Sequence, residues 1–600
     1  MQNTFDVIVI GAGHAGVEAA AAAARMGSQV ALITLNAQQI GSMPCNPAIG
    51  GVGKGHIVYE IGALGGVMPK LATKTYLQAR MLNTKKGPAV QGLRLQIDKF
   101  AYAQAATQYM HCHDNITVIQ AAVEDIICNQ ETGAVEGIAT ATQEKIYARA
   151  IIITTGTFLR GTIHMGEVVY EGGRRNEPSV SGLSLFLKKA GIELARLKTG
   201  IPPRLLKSSI NYEVMERQGS DNLKYLFEFA PHAVEHKHDC FITHTNEATH
   251  EIIRKNLHRS AMYNGTISGV GPRYCPSIED KIGRFASKTS HHVFVEPEGM
   301  ESDEVYPNGI STSLPQEVQE AYVRSIVGFE NAIITKPGYA VEYDFVHPNQ
   351  LHHTLELKKI PGLFLAGQIN GTTGYEEAAG QGIVAGINAH LKVHGKAPYT
   401  LDRANSYIGV MIDDLVTMGV DEPYRMFTSR AERRLILRQD NTFMRLTEDA
   451  HALGLLDQQM YQQFVQEKEL IAAALKQLQN DHNQSYLLSE FGQSLDDIEK
   501  IKQAVAPLEL SPRALLHIHA EIRYAPYIAR ELQEIKKQQM YKSLLIPNEF
   551  VFEDLPGLSR ELQQKLCRVK PGTIAQAALI PGMTPAALSL LIFRVKEKSR

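Results

Sequence analysis

The sequence predicts an α/β protein whose C-terminal third is helical, and two observations lead to this fold class. From the start to about residue 400, short apolar strands alternate with helical segments and with glycine and proline punctuation. Beyond Tyr399 glycine becomes rarer, and segments such as residues 459–478 repeat apolar side chains at helical spacing. With 600 residues, the chain is long enough for several domains.

A glycine-rich turn lies between the first predicted strand and the first predicted helix. Residues 7–10 form the strand, the alanine-rich residues 17–26 form the helix, and residues 30–34 form the next strand. The turn fits GxGxxG in the context that a dinucleotide-binding Rossmann-type unit needs, with Gly11, Ala12, Gly13, His14, Ala15 and Gly16. Asn36 follows the second strand where a carboxylate usually holds the ribose, which argues against NAD at this turn.

A second strand, glycine turn and helix begins at Gly362 and runs through Gln368 to Gly386, and a further buried strand ends at Gly156. Two glycine turns about 350 residues apart predict one nucleotide held from both ends of a discontinuous domain. The predicted fold is therefore an FAD-binding, glutathione-reductase-like Rossmann-type domain with an inserted α/β domain and an all-α C-terminal domain. Unrelated strand turns are the alternative interpretation.

Cys45 begins a glycine-rich loop that ends near Lys54. The loop is not a nucleotide-binding P-loop, because Ala48 and Gly55 replace the glycine and the hydroxyl residue that the pattern needs. In a flavin domain, such a loop is expected to approach the flavin ring closely and to place the thiol near it. Backbone N–H groups and Lys54 are expected to favour the thiolate form of Cys45, which is the nucleophilic form.

A second cysteine, Cys275, lies between Arg273 and Lys281, and these cations suit a thiolate or an anionic ligand. A structural role is the commoner fate of a lone cysteine. No metal site is predicted, because adjacent histidines such as His291 and His292 point to opposite faces of a strand.

Composition excludes several classes of protein. No apolar run approaches the length of a membrane span, and the first residues carry no secretory signal, so a cytoplasmic protein is predicted. The 6 cysteines form no CxxC pair, which argues against a disulfide scaffold. Basic residues cluster over residues 425–445 and 560–600, where they are expected to meet phosphates, although a solvated helix face is an alternative.

Five long motifs resemble one known family. They are Cys45-Asn-Pro-Ala-Ile-Gly-Gly, Leu197-Lys-Thr-Gly-Ile-Pro-Pro-Arg, residues 269–281, Tyr306-Pro-Asn-Gly-Ile-Ser-Thr-Ser-Leu-Pro and residues 367–379. They are similar to the MnmG (GidA) family of tRNA uridine 5-carboxymethylaminomethyl modification enzymes, and the resemblance extends over the whole chain.

The resemblance implies an FAD enzyme that works with a partner GTPase, MnmE, in a heterotetramer. The expected product is a carboxymethylaminomethyl or aminomethyl group on C5 of wobble uridine 34 of certain tRNAs. Methylenetetrahydrofolate would supply the carbon, glycine or ammonium the amine, and NADH the reducing equivalents. We expect a thiolate to add to C6 of the uracil while reduced flavin carries the methylene group at N5. A homodimer is also expected from the family.

The resemblance also implies roles for particular residues. Cys45 and Cys275 match the two functional cysteines of the family. The flavin contacts are expected at residues 11–16 and at Val123, Ser179 and Gln368. The NAD contacts are expected at Gly271, Pro272, Arg273, Tyr274, Ser277, Glu279, Asp280, Lys281, Arg284 and Phe285. For the tRNA backbone we expect Arg425, Arg430, Arg433, Arg434 and Arg438, because basic side chains bind phosphates.

Three other functions fit parts of the sequence. A folate- and FAD-dependent tRNA methyltransferase shares the flavin motifs but lacks the long helical region. An NADH-dependent flavin oxidoreductase would act on small molecules, and a flavin-binding scaffold would perform no turnover. The predicted domains are residues 1–202 and 271–400 for the flavin domain, 203–270 for the insertion, 401–545 for a helical domain and 546–600 for a subdomain that binds tRNA or the partner.

Overall fold

The protein is described here by a computed structural model, which covers residues 3–273, 276–542, 544–547, 549–578, 580 and 582–598. The strands are β1 (Thr4–Ile10), β2 (Val30–Thr34), β3 (Ala48–Gly50), β4 (Tyr76–Leu82), β5 (Gly92–Ile97), β6 (Ile116–Gln120), β7 (Val123–Cys128), β8 (Val135–Thr140), β9 (Lys145–Ile153), β10 (Thr162–Met165), β11 (Val168–Glu171), β12 (Leu194–Ile201), β13 (Arg204–Leu206), β14 (Glu216–Gln218), β15 (Cys240–His244), β16 (His292–Pro297), β17 (Glu304–Asn308), β18 (Ile334–Lys336), β19 (Tyr339–Val346) and β20 (Leu363–Leu365).

The helices follow the same chain order. They are α1 (His14–Arg25), α2 (Lys54–Ala63), α3 (Met68–Thr75), α4 (Lys99–His111), α5 (Gly182–Lys189), α6 (Glu247–Asn256), α7 (Ile278–Arg284), α8 (Gln316–Arg324), α9 (Tyr375–Val393), α10 (Tyr407–Asp413), α11 (Thr442–Ala452), α12 (Gln458–Asp481), α13 (Gln484–Phe491), α14 (Asp497–Ala504), α15 (Pro512–Lys542), α16 (Arg560–Val569), α17 (Ile574–Ala578) and α18 (Pro585–Lys598). Within the described ranges, no helix is both long enough and apolar enough to cross a membrane.

A parallel sheet forms the centre of the nucleotide-binding domain. Its strands run in the order β6–β2–β1–β9, and β20 pairs in parallel with the C-terminal half of β9. Strand β8 extends the sheet by antiparallel pairing with the first half of β9, and β7 pairs antiparallel with β8 at the edge. Because β1 and β20 both border β9, the two predicted glycine turns come to the same edge of one sheet. The predicted α/β fold class is confirmed.

Helices α1 and α9 pack against each other at backbone distance. A Cβ atom at Gly382 would lie 2.2 Å from the carbonyl oxygen of Ala15, and one at Gly386 would lie 2.3 Å from that of Ala19. Small residues on both helices therefore permit this approach, and α1 is buried along most of its length. The contact joins the helix that follows the first glycine turn to the helix that follows the second.

The inserted part of the chain forms its own antiparallel sheet, in the order β14–β15–β16–β17–β13–β18. Leu205, Val293, Val295 and Phe329 are among the residues of its separate hydrophobic core. The sheet pairs strands from both sides of the predicted limit at residue 270, since β15 pairs with β16. The strand pairing therefore differs from the predicted division, because long-range pairing leaves no mark in the local sequence. The other predicted domain limits stay predictions.

The region after residue 400 is helical, as predicted, and a buried carboxylate joins it to the nucleotide-binding domain. Glu60, on α2, accepts hydrogen bonds from the backbone N–H groups of Tyr407 and Ile408 at 2.8 and 2.9 Å. Its other partners are the Ser406 hydroxyl at 3.0 Å and the Arg445 guanidinium at 3.1 Å. Glu60 thus binds the N-terminus of α10, where the helix dipole favours negative charge.

Candidate active site

A cavity of about 1020 Å³ opens at the carboxyl ends of the parallel strands. This is the edge at which open α/β sheets bind their ligands. The cavity extends from the first glycine turn to the inserted sheet, so several parts of the chain contribute to its wall. The residues that line it include many that the sequence analysis named, among them Gly11, Ala12, Gly13, His14, Ala15, Asn36, Cys45, Lys54, Val123, Gly156, Pro272, Lys281, Phe285, His291, His292, Gln368 and Arg425.

The glycine turn between β1 and α1 has the geometry that a pyrophosphate needs. Gly11 has φ +100°, and a Cβ atom there would lie 2.6 Å from the carbonyl oxygen of Thr154. A Cβ atom at Gly16 would lie 1.8 Å from the carbonyl oxygen of Gly11. Gly13 has open space around it instead, and α1 begins at the next residue. The N–H groups of the first helical turn are therefore directed to the cavity edge, where an anionic phosphate is favoured.

The second glycine turn lies across β9 from the first. Gly367 has φ +88° and its Cβ position would be 3.1 Å from the Ala15 side chain. Gln381 holds this turn, because its Oε1 accepts from Gly367 N at 3.1 Å and from Asn370 Nδ2 at 2.9 Å. Gln368 lines the cavity beside the Gly156 turn. The three predicted nucleotide-binding segments therefore converge on one cavity.

Of two other residues predicted to contact the flavin, one lines the cavity and the other does not. Val123 is buried and lines the cavity. Ser179 is half-buried, and its neighbours Glu177 and Val180 line the cavity, but Ser179 does not. Asn36, which stands where a carboxylate is usual, lines the cavity, and its side chain accepts from Gln38 N at 2.9 Å.

His14 is buried at the start of α1, between two tyrosines. Its ring centroid lies 4.4 Å from that of Tyr375 and 5.6 Å from that of Tyr102. Burial lowers the pKa of His14 to about 4, and the nearby Glu376 carboxylate opposes this shift only in part. Its imidazole is therefore neutral near pH 7, and it adds no positive charge to the cavity.

Cys45 is held from two sides by tyrosine hydroxyls. Its backbone N–H donates to the Tyr375 hydroxyl at 2.8 Å, and its Sγ lies 3.2 Å from the Tyr306 hydroxyl. Tyr375 starts α9 of the nucleotide-binding domain, whereas Tyr306 belongs to β17 of the inserted sheet. The thiol therefore lies where these two parts of the chain meet, on the wall of the same cavity.

Lys54 is paired with two buried carboxylates at the same wall. Its Nζ lies 2.7 Å from Glu376 Oε2 and 3.0 Å from Glu377 Oε2. Glu376 also accepts from Gly50 N at 2.8 Å, and Glu377 accepts from Met426 N at 3.0 Å. These carboxylates balance the charge of Lys54, so the prediction that Lys54 favours the Cys45 thiolate is not supported. The cluster instead connects the glycine-rich loop to the segment that carries Arg425.

The predicted NAD segment contributes to the cavity only in part. Pro272, Lys281 and Phe285 line it, and Lys281 Nζ donates to the carbonyl oxygen of Gly309 at 2.7 Å. Gly271 is half-buried and Arg273 is exposed, but neither lines the cavity. Tyr274 and Cys275 lie outside the described residues.

The remaining residues of that segment have roles in the local fold. Ser277 accepts from Asp280 N at 3.2 Å and so caps α7. Arg284 is exposed and lies 3.9 Å from Asp280. Glu279 is fully buried and accepts from Ser313 N at 2.8 Å and from the Thr312 hydroxyl at 3.0 Å. The Glu279 carboxylate therefore holds a loop rather than facing the cavity, which corrects its predicted contact with NAD.

The chain matches two family models. One, described as glucose inhibited division protein A, matches residues 6–397, and the other, described as the C-terminal helical bundle of the tRNA-modifying enzyme MnmG/GidA, matches residues 534–600. The chain belongs to the MnmG/GidA family. One member, the tRNA uridine 5-carboxymethylaminomethyl modification enzyme MnmG of Thermodesulfovibrio yellowstonii, is 47% identical over 622 aligned residues, which are 100% of this chain and 99% of that protein.

Crystal structures of GidA from Aquifex aeolicus have the same fold over nearly the whole chain. In one crystal form the TM-score is 0.89 at 46% identity, over 99% of this chain and 100% of the other. In a second crystal form the TM-score is 0.88 at 44% identity, over 99% of this chain and 98% of the other. The likeness to the MnmG/GidA family therefore includes the helical region.

The five arginines predicted to bind tRNA divide into two groups in this MnmG/GidA family member. Arg425 and Arg430 are half-buried and Arg434 is exposed. Arg433 is buried and lies 2.8 Å from Glu534. Arg438 is fully buried and lies 3.1 Å from Asp440 and 2.6 Å from Glu521. Buried arginines with carboxylate partners cannot reach a nucleic acid, so the tRNA prediction for Arg433 and Arg438 is corrected.

Sequence reasoning had assigned no role to four residues around Cys45 and Lys54. Tyr306 and Arg204 occur inside two of the family motifs, and Tyr375 and Glu376 lie inside a third. Their presence in long specific motifs was a signal, but it did not say which of them meet. The structure brings Tyr306 and Tyr375 to one cysteine, although they lie 261 and 330 residues away from it.

Proposed function

We propose that this chain is an FAD-dependent enzyme that modifies C5 of wobble uridine 34 of certain tRNAs. The added group is carboxymethylaminomethyl or aminomethyl, and a GTPase partner, MnmE, takes part. Membership of the MnmG/GidA family supports this function. The observation that carries it is that the Cys45 thiol and the dinucleotide-binding glycine turn open into one cavity.

The residues of the first glycine turn fit the diphosphate of FAD. Gly13 leaves open space at the cavity edge. Gly11 and Gly16 let the start of α1 lie close to Thr154, just after β9, and a Cβ atom at either glycine would block this approach. Gln368 lies on the opposite wall, at the second turn. When bound, FAD supplies hydride and electron transfer at its ring system. The protein holds the diphosphate, and the volume of about 1020 Å³ leaves room for a substrate beside the cofactor.

A thiolate of Cys45 or Cys275 is the proposed nucleophile toward the uracil ring. The sulfur electron pair forms a bond to C6, and the C5–C6 π pair moves to the oxygen on C4. The resulting enolate bonds from C5 to the iminium carbon of methylenetetrahydrofolate, and the C=N π pair moves to the folate nitrogen. Glycine or ammonium then bonds to that methylene carbon, and tetrahydrofolate leaves as the carbon–nitrogen bond to folate breaks. Loss of the C5 proton to solvent and cleavage of the S–C6 bond then restore the ring and the thiolate. Tyr375 fixes the Cys45 backbone throughout, through the 2.8 Å hydrogen bond.

NADH, the amine donor, the tRNA and the partner protein also belong to the proposed reaction. We place NADH near Pro272, Lys281 and Phe285, because they line the cavity on the inserted side. Glycine or ammonium is the amine donor. The tRNA would meet Arg425, Arg430 and Arg434, and the subdomain at residues 546–600 would bind the tRNA or the partner. A homodimer, a heterotetramer with MnmE and a cytoplasmic location also belong to this proposal.

The nucleoside composition of tRNA tests the function. Cells that lack this chain should lose the 5-aminomethyl-type uridines, as measured by mass spectrometry, and the wild-type chain should restore them. Cys45→Ser and Cys275→Ser should fail to restore them. Cys240→Ser is the matched control, because Cys240 is buried in β15 and does not line the cavity. Unchanged wobble uridines in the deletion strain would contradict the proposal, and a loss of 5-methyluridine instead would favour the methyltransferase function.

A further inference from the structure

The surroundings of Cys45 include a tyrosine and an arginine that act on one another. Tyr306 is almost fully buried, and its hydroxyl lies 3.2 Å from Cys45 Sγ. The guanidinium of Arg204 lies 4.6 Å from the centroid of the Tyr306 ring. A cation over an aromatic face is attracted by the ring electrons. Its positive charge also draws electron density away from the hydroxyl of the ring, which makes the O–H bond more polar. The geometry therefore improves the Tyr306 hydroxyl as a hydrogen-bond donor.

Arg204 is fixed in that place by three further contacts. Its Nη2 donates to the carbonyl oxygen of Pro44 at 2.7 Å, one residue before Cys45. Its Nη1 donates to the Pro202 carbonyl at 2.9 Å, and its Nε lies 2.7 Å from Glu298 Oε1. Arg204 thus binds the loop that carries the thiol and the ring that meets the thiol. The contacts also keep its charge buried close to both.

A buried ion network lies behind Arg204. Glu298 is fully buried, and its carboxylate is shared between Arg204 and Lys99. Two further carboxylates, Glu296 and Glu304, interact with this network. Burial alone would lower the pKa of Arg204, but Glu298 raises it above its ordinary value, so the guanidinium stays charged. A buried positive charge favours a nearby thiolate over a thiol.

We propose that Tyr306 is a positioning residue for Cys45, whose hydroxyl donates a hydrogen bond to the thiolate form of Sγ while Arg204 holds the tyrosine ring. In the thiol form the same 3.2 Å contact can form with either atom as the donor, but a thiolate only accepts. The contact is therefore strongest in the nucleophilic form. This role rests on the proposed function of Cys45 as a nucleophile.

Other groups near Cys45 do not replace this role. Tyr375 on α9 accepts a hydrogen bond from the backbone N–H of Cys45. Glu376, next to Tyr375, is paired with Lys54. Within the described part of the chain, the titratable and charged groups near the thiol include Tyr306, Arg204, Tyr375 and Glu376, with Glu298 and Lys99 behind Arg204. Tyr306 is the hydroxyl among them that meets Sγ.

The rate at which Cys45 is alkylated tests the proposal. The FAD-loaded full-length protein would be treated with iodoacetamide from about pH 5 to about pH 9, and the Cys45 peptide would be quantified by mass spectrometry. Tyr306→Phe keeps the ring under Arg204 and removes the hydroxyl. We expect the apparent pKa of the Cys45 thiol to rise by about one unit, with an alkylation rate about tenfold lower at neutral pH.

Tyr424→Phe is the matched control. The Arg430 guanidinium lies 4.2 Å from the Tyr424 ring centroid, and the Tyr424 hydroxyl donates to Asp414 at 2.8 Å. The Tyr424→Phe variant removes a tyrosine hydroxyl from the same kind of arginine–tyrosine pair. It should leave the pH dependence of Cys45 alkylation unchanged. If Tyr306→Phe does not retain FAD, Arg204→Lys supplies the second variant. This variant keeps the positive charge but loses the guanidinium over the Tyr306 ring, so it should shift the profile in the same direction by a smaller amount.

Two outcomes would separate this inference from the proposed function. A Cys45 profile in Tyr306→Phe that matches the Tyr424→Phe profile would overturn the role of Tyr306, even if Cys45→Ser abolishes tRNA modification. A shifted profile combined with full modification by Cys45→Ser would support the contact and remove Cys45 from the reaction. If the apparent pKa of the Cys45 thiol rises only in Tyr306→Phe and Arg204→Lys, and tRNA modification is lost in Cys45→Ser, the result supports both the role of Tyr306 and the proposed function.

Discussion

The Nζ of Lys54 lies 2.7 Å from Oε2 of Glu376, on the wall of the cavity that also contains Cys45. Both groups are almost entirely withdrawn from solvent, and Glu377, which is fully buried, shares the same ammonium group at 3.0 Å. A buried ion pair of this kind is costly to break because the remaining charge has no partner. Lys54 therefore contributes to the stability of this wall.

Replacement of Lys54 by methionine should lower the free energy of unfolding by about 3–5 kcal/mol, because two buried carboxylates lose their cation. Lys336→Met is the control. Lys336 is half exposed and lies 2.7 Å from Glu304, and its loss should cost at most about 1 kcal/mol. Urea denaturation of both variants measures the difference, and equal losses would contradict the prediction.

The loss of unfolding free energy caused by Lys54→Met should also become smaller at low pH. Burial alone would raise the pKa of Glu376, but Lys54 holds it below its ordinary value of 4.5. A depressed carboxylate pKa stabilises the folded state above the unfolded value, and this contribution is lost as the pH falls through the folded value. The wild-type advantage should therefore be full at neutral pH and decrease below about pH 4.5. A pH-independent difference would show that the ion pair is not its cause.

Two glycines of the first turn should respond differently to alanine. Gly16→Ala places a Cβ atom 1.8 Å from the Gly11 carbonyl oxygen, so it should destabilise the FAD-free protein by about 1–3 kcal/mol. Gly13→Ala meets open space at φ −74°, so it causes no clash, and the FAD-free protein should lose about 1 kcal/mol or less because alanine is a poorer N-cap residue than glycine. Both should weaken FAD binding, because the backbone at Gly13 must approach the diphosphate. Thermal melting without FAD, followed by FAD titration, distinguishes the two effects.

A buried histidine should make stability depend on pH. His56 is fully buried against Tyr407, and burial lowers its pKa to about 3, with Arg445 adding to the shift. The unfolded chain binds a proton below about pH 6.5 and the folded chain does not, so stability falls as the pH decreases. The loss from this group approaches about 1.4 kcal/mol per pH unit.

His56→Phe should remove that slope, because phenylalanine keeps a ring and cannot titrate. His352→Gln changes an exposed histidine and is the matched control for this variant. Urea denaturation at several pH values between about 4.5 and 7 measures the slopes. A slope that persists in His56→Phe would show that other groups produce it.

The arginines of the helical region should separate into those that bind RNA and those that hold the fold. Arg434→Glu changes an exposed residue, so it should weaken the binding of different tRNAs by a similar factor. It should also reduce the slope of log K against log salt concentration by about 1. Arg438→Met leaves Asp440 and Glu521 without their buried cation, and it should cost about 3–5 kcal/mol of stability. Filter binding over a salt series and thermal melting test both. An unchanged melting point together with weakened tRNA binding in Arg438→Met would restore Arg438 as an RNA contact.

Features that depend on local sequence were predictable. The turn at Gly11 needs a strand before it and a helix after it, and all three are visible within about 30 residues. The same applies to Gln368 and to the helical spacing after Tyr399. These local patterns sufficed for the fold class and the family, both of which are confirmed. The roles of individual site residues stay predictions.

Features that depend on contacts between distant residues were not predictable. Arg434 and Arg438 look alike in the sequence, but one is exposed and the other is enclosed by α15 through Glu521. The inserted sheet pairs β15 with β16 across about 50 residues, so a boundary drawn from local punctuation divided it. Lys54 belongs to the same glycine-rich segment as Cys45, yet its partners come from α9. Such pairings arise only in the folded chain.

The bond network of Glu60 limits how this architecture can change over evolution. Its four partners lie at residues 406–408 and at Arg445, so the carboxylate is balanced only while the helical region is present. Removal of everything after about residue 400 would take away all four of these partners, so position 60 in a shortened chain would need either access to water or a neutral residue. Glu60 therefore links the inheritance of the two parts of the molecule.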